Sequence, residues 1–555
     1  MPMPAEKKLF LVCRKSGKIV GFNRRGWLFR LLLPLMGVLA LVWWLVRVIP
    51  KPSRADYPCQ RVGLPIALQG IAMTIGLFAL PVSFRKFRKF LDEHRYEAAA
   101  VCLVLCLGCS LMVRAICEYT AHAEDTGTFA PAEGPNQPMG TGRGIFPGRV
   151  AWAYDLSACK WDGLTGYWFD KTNNDQTRIT AMMNKTICSV AGQPTIELAW
   201  DALFRFKNAG APYLKGEKIV VKLNLNNGGN YDNQIDASPQ SVYALLEGLV
   251  NHFGADQSDI VLCDPARENQ CSVVRDYCVG EFPKVNYDTH LGGFVPNAFS
   301  YSAPGPAENS LSKALVDAKY LITLAILKRH CTPAATYHDP TDRTDYGNAS
   351  VSMIFKSTWG LIGPGRGGQH QYLHDWAYPL NSYDLLVDMM GNKNVDGKTV
   401  LNLVDGLYSG DRWSSGPHRW KLAPFNGHWP SSIFASQDPV ALESVGLDFL
   451  RSEMPLIKNA DHHLHEAALA NDPPSGTVYK PDGVRLRSLG VHEHWNNAAD
   501  KKYSRNLGTG KGIELVTIQA DAGYADSVGG LPAWVDRPAH PGIKTGEPQF
   551  QLGER

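Results

Sequence analysis

The apolar positions change rhythm along the chain. Three long runs come first, WLFRLLLPLMGVLALVWWLVRVI from Trp27, VGLPIALQGIAMTIGLFALPV from Val62 and AAAVCLVLCLGCSLMVRAICEY from Ala98. Each is about 20 residues, the length a helix needs to cross a hydrocarbon core, so three transmembrane helices are expected over residues 27–119. Residues 120–150, rich in Pro and Gly, predict a linker. From about residue 195 helical and strand periods alternate. IELAWDALFRF reads as a helix and KIVVKLNLN as a strand. SPQSVYALLEGLVNHFG is a helix with Ser238 as cap and Pro239 in its first turn, and SDIVLCDPA is a strand again. Further strands are expected at KYLITLAIL and TVLNLVDGLY, and helices at ASVSMIFKSTWGLI and DPVALESVGLDFLRSE. The fold expected is therefore α/β, a mainly parallel sheet flanked by helices over residues 151–555, behind an N-terminal membrane anchor of three transmembrane helices.

The strand KIVVKLNLNN has two unlike faces. Its odd positions, Ile219, Val221, Leu223 and Leu225, are apolar, whereas Lys222, Asn224 and Asn226 share the other side. A half-exposed strand with a wet face accounts for this, and so does a strand whose end borders a site. In parallel α/β sheets ligands bind beyond the carboxyl ends of the strands. Four expected strands end in polar groups: Lys222 with Asn224, Asp264, Lys328 with His330, and Asp405.

Charge narrows the setting. Lys and Arg number 56 against 53 Asp and Glu, a balance that gives no case for nucleic acid. The basic residues crowd a leader over residues 1–26 and the connection SFRKFRKFLDEHR, whereas TAHAEDTG after the third run is acidic. A multi-pass protein of the cytoplasmic membrane is expected, its N-terminus cytoplasmic and its main domain periplasmic or extracellular. Cys159, Cys188, Cys263, Cys271, Cys278 and Cys331 would then meet an oxidising compartment, which favours some disulfides in no assignable pairing.

Taken in order, KIVVKLNLN, DASPQSVYALLEGLVNHFGADQSDIVLCDPA, LAILKRH, ASVSMIFKSTWGLI, LNLVDGLYSGDRWSSGPHRW and SSIFASQDPVALESVGLDFL resemble the domain of unknown function 362 family over residues 195–455, leaving 456–555 as an extension. The resemblance points to Lys222 with Asn224, Asp264, Lys328 with His330, Lys356, Asp405 with Gly406, Gly416 with Pro417, and Asp438. Leu223 stands where the family has Pro, Ser357 where it has Asn, and the iron-sulfur cluster motif of some relatives is absent. The family's reaction is unassigned, so the resemblance implies a fold more than a function.

Several chemistries fit these residues. Lys222, Lys328 and Lys356 in one crevice would attract phosphate or carboxylate, with His330 or Asp264 handling protons; surface lysines scattered independently are the alternative. Asp264, Asp405 and Asp438 suit a hard cation such as magnesium, although Asp438 serves equally as a helix cap and Asp405 as part of an Asp-Gly turn. In NADHHLHEAALA, Asp461 and His465, and also His462 and Glu466, stand four apart, and LGVHEHW places His492 and His494 on one side of an extended segment. These suggest a transition-metal site, zinc most simply, against an exposed helix and a turn. Trp413, Trp420 and Trp429 lie in a loop that reads as a lid or a binding surface. No hydrolase elbow, P-loop or dinucleotide motif occurs. Two functions are expected: an enzyme of unassigned reaction on an anionic small molecule or polymer end, or a non-catalytic module binding an envelope polymer or partner protein.

Overall fold

The computed structural model describes residues 80–107, 109, 133–226, 230–265, 271–288, 292–304, 308–329, 352–363, 380–410, 415–454 and 460–519, together with 10–12, 19–22 and 46. The chain divides into two compact units, Met1–Thr128 and Phe129–Arg555.

In the first unit, strand Phe10–Val12 pairs antiparallel with Ile19–Phe22, and Leu80–Asp92 forms a helix of 13 residues. Among the described residues no helix is long and apolar enough to cross a membrane, which corrects the expected three-span anchor. The connection between the second and third expected spans is itself helical. Leu80–Asp92 carries Arg85, Lys86, Arg88 and Lys89, charges that no hydrocarbon core would accept without cost. The first two apolar runs lie almost wholly outside the described residues.

The second unit is built on a seven-stranded sheet. In chain order its elements include β1 (Met139–Gly140), β2 (Arg149–Tyr154), α1 (Gln176–Ala191), α2 (Ile196–Lys207), β3 (Ile219–Leu223), α3 (Pro239–Glu247) and β4 (Ile260–Cys263). After these come β5 (Tyr320–Lys328), α4 (Ile354–Trp359), α5 (Leu385–Gly391), β6 (Thr399–Gly410), β7 (Ser432–Ser436), α6 (Pro439–Glu453), α7 (His462–Ala468), β8 (Val491–His492) and β9 (Glu514–Gln519). Strand order across the sheet is β9-β2-β7-β6-β5-β3-β4. The sheet is mixed, because one strand, β7, runs antiparallel to both β6 and β2. The other pairs are parallel. β7 follows β6 through a loop, without the crossover helix a parallel neighbour requires.

Period-two alternation divides the core. Ile219, Val221 and Leu223 of β3 join Ile260, Leu262, Tyr320 and Ile322 under α1, α2 and α3. Val220, Leu321, Ala325, Leu327, Trp152 and Phe434 meet α4, α5 and α6 on the opposite face. Both faces of β3 are therefore covered and all five of its residues are buried, which rules out the wet face. Sequence-level caps form as expected: Ser238 accepts from Ser241 N at 3.2 Å to start α3, and Asp438 from Ala441 N at 2.9 Å to start α6.

Two expectations change outside the sheet. Residues 133–150, read as linker, belong to the folded unit: β1 pairs with β8, and Arg149 bonds Glu514 at 2.8 Å. Among the described residues every cysteine is a free thiol, so no disulfide forms among Cys159, Cys188, Cys263, Cys271 and Cys278. Cys331 lies outside the described residues.

Candidate metal centre

The strand ends gather the expected polar residues, but most of them close on each other. Lys222 Nζ lies 3.0 Å from Asp264 Oδ1 across adjacent strands β3 and β4, with side-chain exposures of 2% and 6%. It also donates to the Leu223 carbonyl and, at 3.4 Å, to Ser357 Oγ of α4. Asp264 Oδ2 accepts from Leu225 N at 2.7 Å. The end of α4 seats directly on this pair, since a Cβ on Gly360 would stand 2.6 Å from Asp264 Oδ1 and 2.8 Å from Lys222 Nζ. Asp405 accepts from Ser238 N at 2.9 Å, Ser238 Oγ at 2.5 Å and Leu407 N at 3.0 Å, so it anchors the start of α3. Burial raises its pKa even against those bonds.

Lys328 is buried and donates to Ile235 O at 3.4 Å, Asn224 keeps a buried Oδ1 without a hydrogen-bond partner, and Lys356 is half-buried on α4. His330 and Trp413 lie outside the described residues. Trp420 and Trp429 are buried; Trp429 stacks on Trp161 at 5.5 Å and donates to its carbonyl at 2.8 Å, so these two are core rather than a binding surface.

A second cluster forms on the side of α6 that faces β8. Three imidazoles converge there on one carboxylate oxygen. Glu133 Oε1 lies 2.7 Å from His465 Nε2, 2.8 Å from His492 Nε2 and 3.1 Å from His494 Nε2. Each is placed by a different element: His465 by α7, His492 by β8, and His494 by the segment just beyond, whose carbonyl accepts from Asn136 N at 2.9 Å. Glu133 arrives at the head of the segment that becomes β1, held by the β1–β8 pairing.

The outer ring nitrogens are fixed by a stripe on α6. Ser444, Asp448 and Arg451 recur about one turn apart and are buried or nearly so. Ser444 Oγ donates its one hydrogen to Val440 O at 2.7 Å, so it accepts from His492 Nδ1 at 2.8 Å. His494 Nδ1 lies 2.7 Å from Asp448 Oδ1, and Asp448 Oδ2 is held by Trp495 N at 3.0 Å and Tyr503 Oη at 2.9 Å. Arg451 forks onto both oxygens of Asp461 at 2.8 Å, drawing that carboxylate to 3.6 Å from His494 Nε2.

This network dictates electron pairs. With its proton on Nδ1 toward Ser444, neutral His492 turns the lone pair of Nε2 toward the lone pairs of Glu133 2.8 Å away. Burial pushes the His492 pKa down to about 4, which works against a second proton relieving that clash. Burial opposes the charge on Glu133 too, but the surrounding imidazoles, His465 foremost, outweigh it and hold its carboxyl well below the usual range. His494 differs: burial would lower it, yet Asp448, Glu133 and Asp461 bring it up to about 10. At His492 an acceptor therefore faces an acceptor, the arrangement a cation completes.

The spacing fits one ion. With metal–donor bonds of about 2.1 Å, tetrahedral ligands stand about 3.4 Å apart, so an ion would need to part Glu133 from the three rings by only a few tenths of an ångström beyond their 2.7–3.1 Å. Donor atoms of Glu133, Asp461, His492 and His494 lie within 4.8 Å of one another, a group able to hold a metal ion. Glu133 and His465, each with 10% side-chain exposure, mark the side nearest solvent.

Of the expected ligands, His465, His492 and His494 reach the centre and His462 and Glu466 do not. The two i, i+4 pairs on α7 are offset by one residue, about 100° around the helix, so only one can face the rings. Glu466 accepts instead from Ser475 Oγ at 2.5 Å and Tyr479 Oη at 2.8 Å, while His462 Nε2 lies 3.8 Å from Asp384. Sequence reasoning missed Glu133, which sits in a Pro/Gly-rich stretch with no periodicity to mark it. Asp448 and Ser444 did leave a signal, polar residues one turn apart among the apolar positions of α6. No protein-family model, curated protein or solved structure matches the chain.

Proposed function

We propose that this chain is a metalloprotein whose working centre holds a divalent first-row transition metal, zinc in the simplest case, on His465, His492, His494 and Glu133. The observation that carries the reading is the convergence of three imidazole Nε2 atoms within 3.1 Å of one carboxylate oxygen. Donors of nitrogen and oxygen with no sulfur among them suit zinc, iron, manganese, cobalt or nickel more than copper(I) or a cluster. Three neutral imidazoles leave the ion most of its positive charge, the condition under which a bound water becomes acidic near neutrality. The chain's own residues have clear parts. Asp448 and Ser444 hold two rings in the tautomer that presents Nε2, Arg451 keeps Asp461 charged beside the centre, and Glu133 supplies a carboxylate as fourth ligand or, when displaced, as a proton acceptor. The reading favours a metal-dependent enzyme of hydrolytic or hydration type over a structural metal site, which is usually built on cysteine.

The test is elemental analysis of the purified full chain after loading with zinc, manganese or iron and exhaustive dialysis. About one ion per chain is expected, with loss on His492→Ala and retention on His462→Ala. A wild-type chain that keeps no ion, or a His492→Ala chain that keeps its full complement, would sink the reading.

A further inference from the structure

At the amino-terminal edge of the sheet, opposite the Lys222 end, lies a cavity of about 280 Å³ between the end of α2, the end of α5, the start of β6 and the start of α6. Its lining includes Arg143, Phe206, Lys207 and Asp396, so two cations there share one carboxylate. Arg143 donates from Nη1 and Nη2 to the two oxygens of Asp396, at 2.6 and 2.9 Å, and from Nη1 again to Leu489 O at 3.4 Å. Lys207 Nζ donates to the Asp396 backbone carbonyl, which brings no countercharge. Asp438 lies behind the lining, where its carboxyl accepts from the backbone of Arg143, Ala441 and Val491 at 2.9, 2.9 and 3.2 Å.

The donors that remain have a shape. A guanidinium carries five N–H groups. With the Nη1–Nη2 edge on Asp396 and the second Nη1 hydrogen on Leu489, the side-on edge of Arg143, Nε with the outer hydrogen of Nη2, meets no acceptor among the described residues. The ammonium of Lys207 likewise keeps hydrogens beyond the one given to Asp396. The Arg143 side chain is 32% exposed, so these donors are not sealed in the core. Burial and the nearby Arg143 both press the Lys207 pKa down against the pull of Asp396, as expected of a cation short of countercharge. We infer that the cavity binds a small monocarboxylate with an apolar body, its carboxylate on the side-on edge of Arg143 and beside Lys207 Nζ. Two parallel N–H groups match the two oxygens of a carboxylate, and one negative charge balances the lining. Phe206, 53% exposed, offers a ring face to the body of the ligand. The volume suits a single ring with its substituent rather than a nucleotide.

Benzoate is the probe, titrated calorimetrically into the full chain at low ionic strength, with benzamide as the same ring without the charge. Benzoate should bind at least about tenfold more tightly than benzamide. Lys207→Met should weaken benzoate at least about tenfold, whereas Asp396→Asn should strengthen it by removing the competing carboxylate; opposite signs separate a charge effect from loss of structure. His492→Ala should bind benzoate as the unaltered chain does, which keeps a metal-bound carboxylate out of the reading. No benzoate binding up to about 10 mM, equal binding of benzamide, unchanged affinity in Lys207→Met, weaker binding in Asp396→Asn or loss in His492→Ala would each overturn the inference. Were Lys207→Met to unfold, the preference of the unaltered chain for benzoate over benzamide and the sign of the Asp396→Asn effect would still decide it.

Discussion

The second unit holds two buried polar clusters that behave in opposite ways. At the strand ends, Lys222 faces Asp264 and Asp405 faces Ser238, so the charged groups meet their complements from within the chain and only Asn224 keeps an open acceptor. Beside α6, three imidazole nitrogens crowd one carboxylate oxygen, with the lone pair of His492 Nε2 turned toward it, while the outer nitrogens of His492 and His494 are tied down. The first cluster is a satisfied joint and the second an unsatisfied receptor. Abundance of ionisable groups does not mark a site; residual demand for a partner does.

Mutations should separate the two. The largest effect expected is on the receptor: replacing His492 and His494 together by Ala should take bound metal from about one ion per chain to none, measured by elemental analysis. The joint should answer in stability alone. Lys222→Ala leaves Asp264 as an uncompensated buried charge and should cost about 3–5 kcal/mol in denaturant unfolding with metal content intact, whereas Lys222→Met with Asp264→Leu should recover most of that loss. If Lys222→Ala removed the metal while leaving stability unchanged, the contrast between the clusters would be lost. A subtler change is Asp448→Asn, which keeps the shape but weakens the hold on His494. Metal affinity should fall about 10–100-fold in a competition titration, with little change in the unloaded chain's far-ultraviolet spectrum. Smallest is Ser238→Ala, which removes the cap of α3 and one donor to Asp405; a loss of about 1–2 kcal/mol and no effect on metal affinity are expected.

Much of the sheet could be read in the sequence, because strand and helix periods, Ser238 with Pro239, and Asp438 with Pro439 are local signals. What escaped was set at long range. The alternation of KIVVKLNLN indicated two faces, but only α4 packing over Lys222 shows that the polar face is dry. β2, β7 and β9 were not expected as strands, and they owe their places to neighbours far away in sequence. The histidines were visible as pairs, yet choosing between Asp461 with His465 and His462 with Glu466 depends on how α7 is rotated against β8. The apolar content of the first runs suggested three membrane spans, an expectation that the described helices do not support.

The position of Glu133 has a mechanical consequence. It meets His492 across 359 residues of chain, so the centre joins the leading edge of the folded unit to a segment close to its trailing edge. An ion bound there would act as a clasp on a very large ring, and the chain-closure entropy it removes from the unfolded state grows with the size of that ring. Chelation should therefore loosen both edges together, and a protease should find the segment around Glu133 and the one around His494 at the same moment.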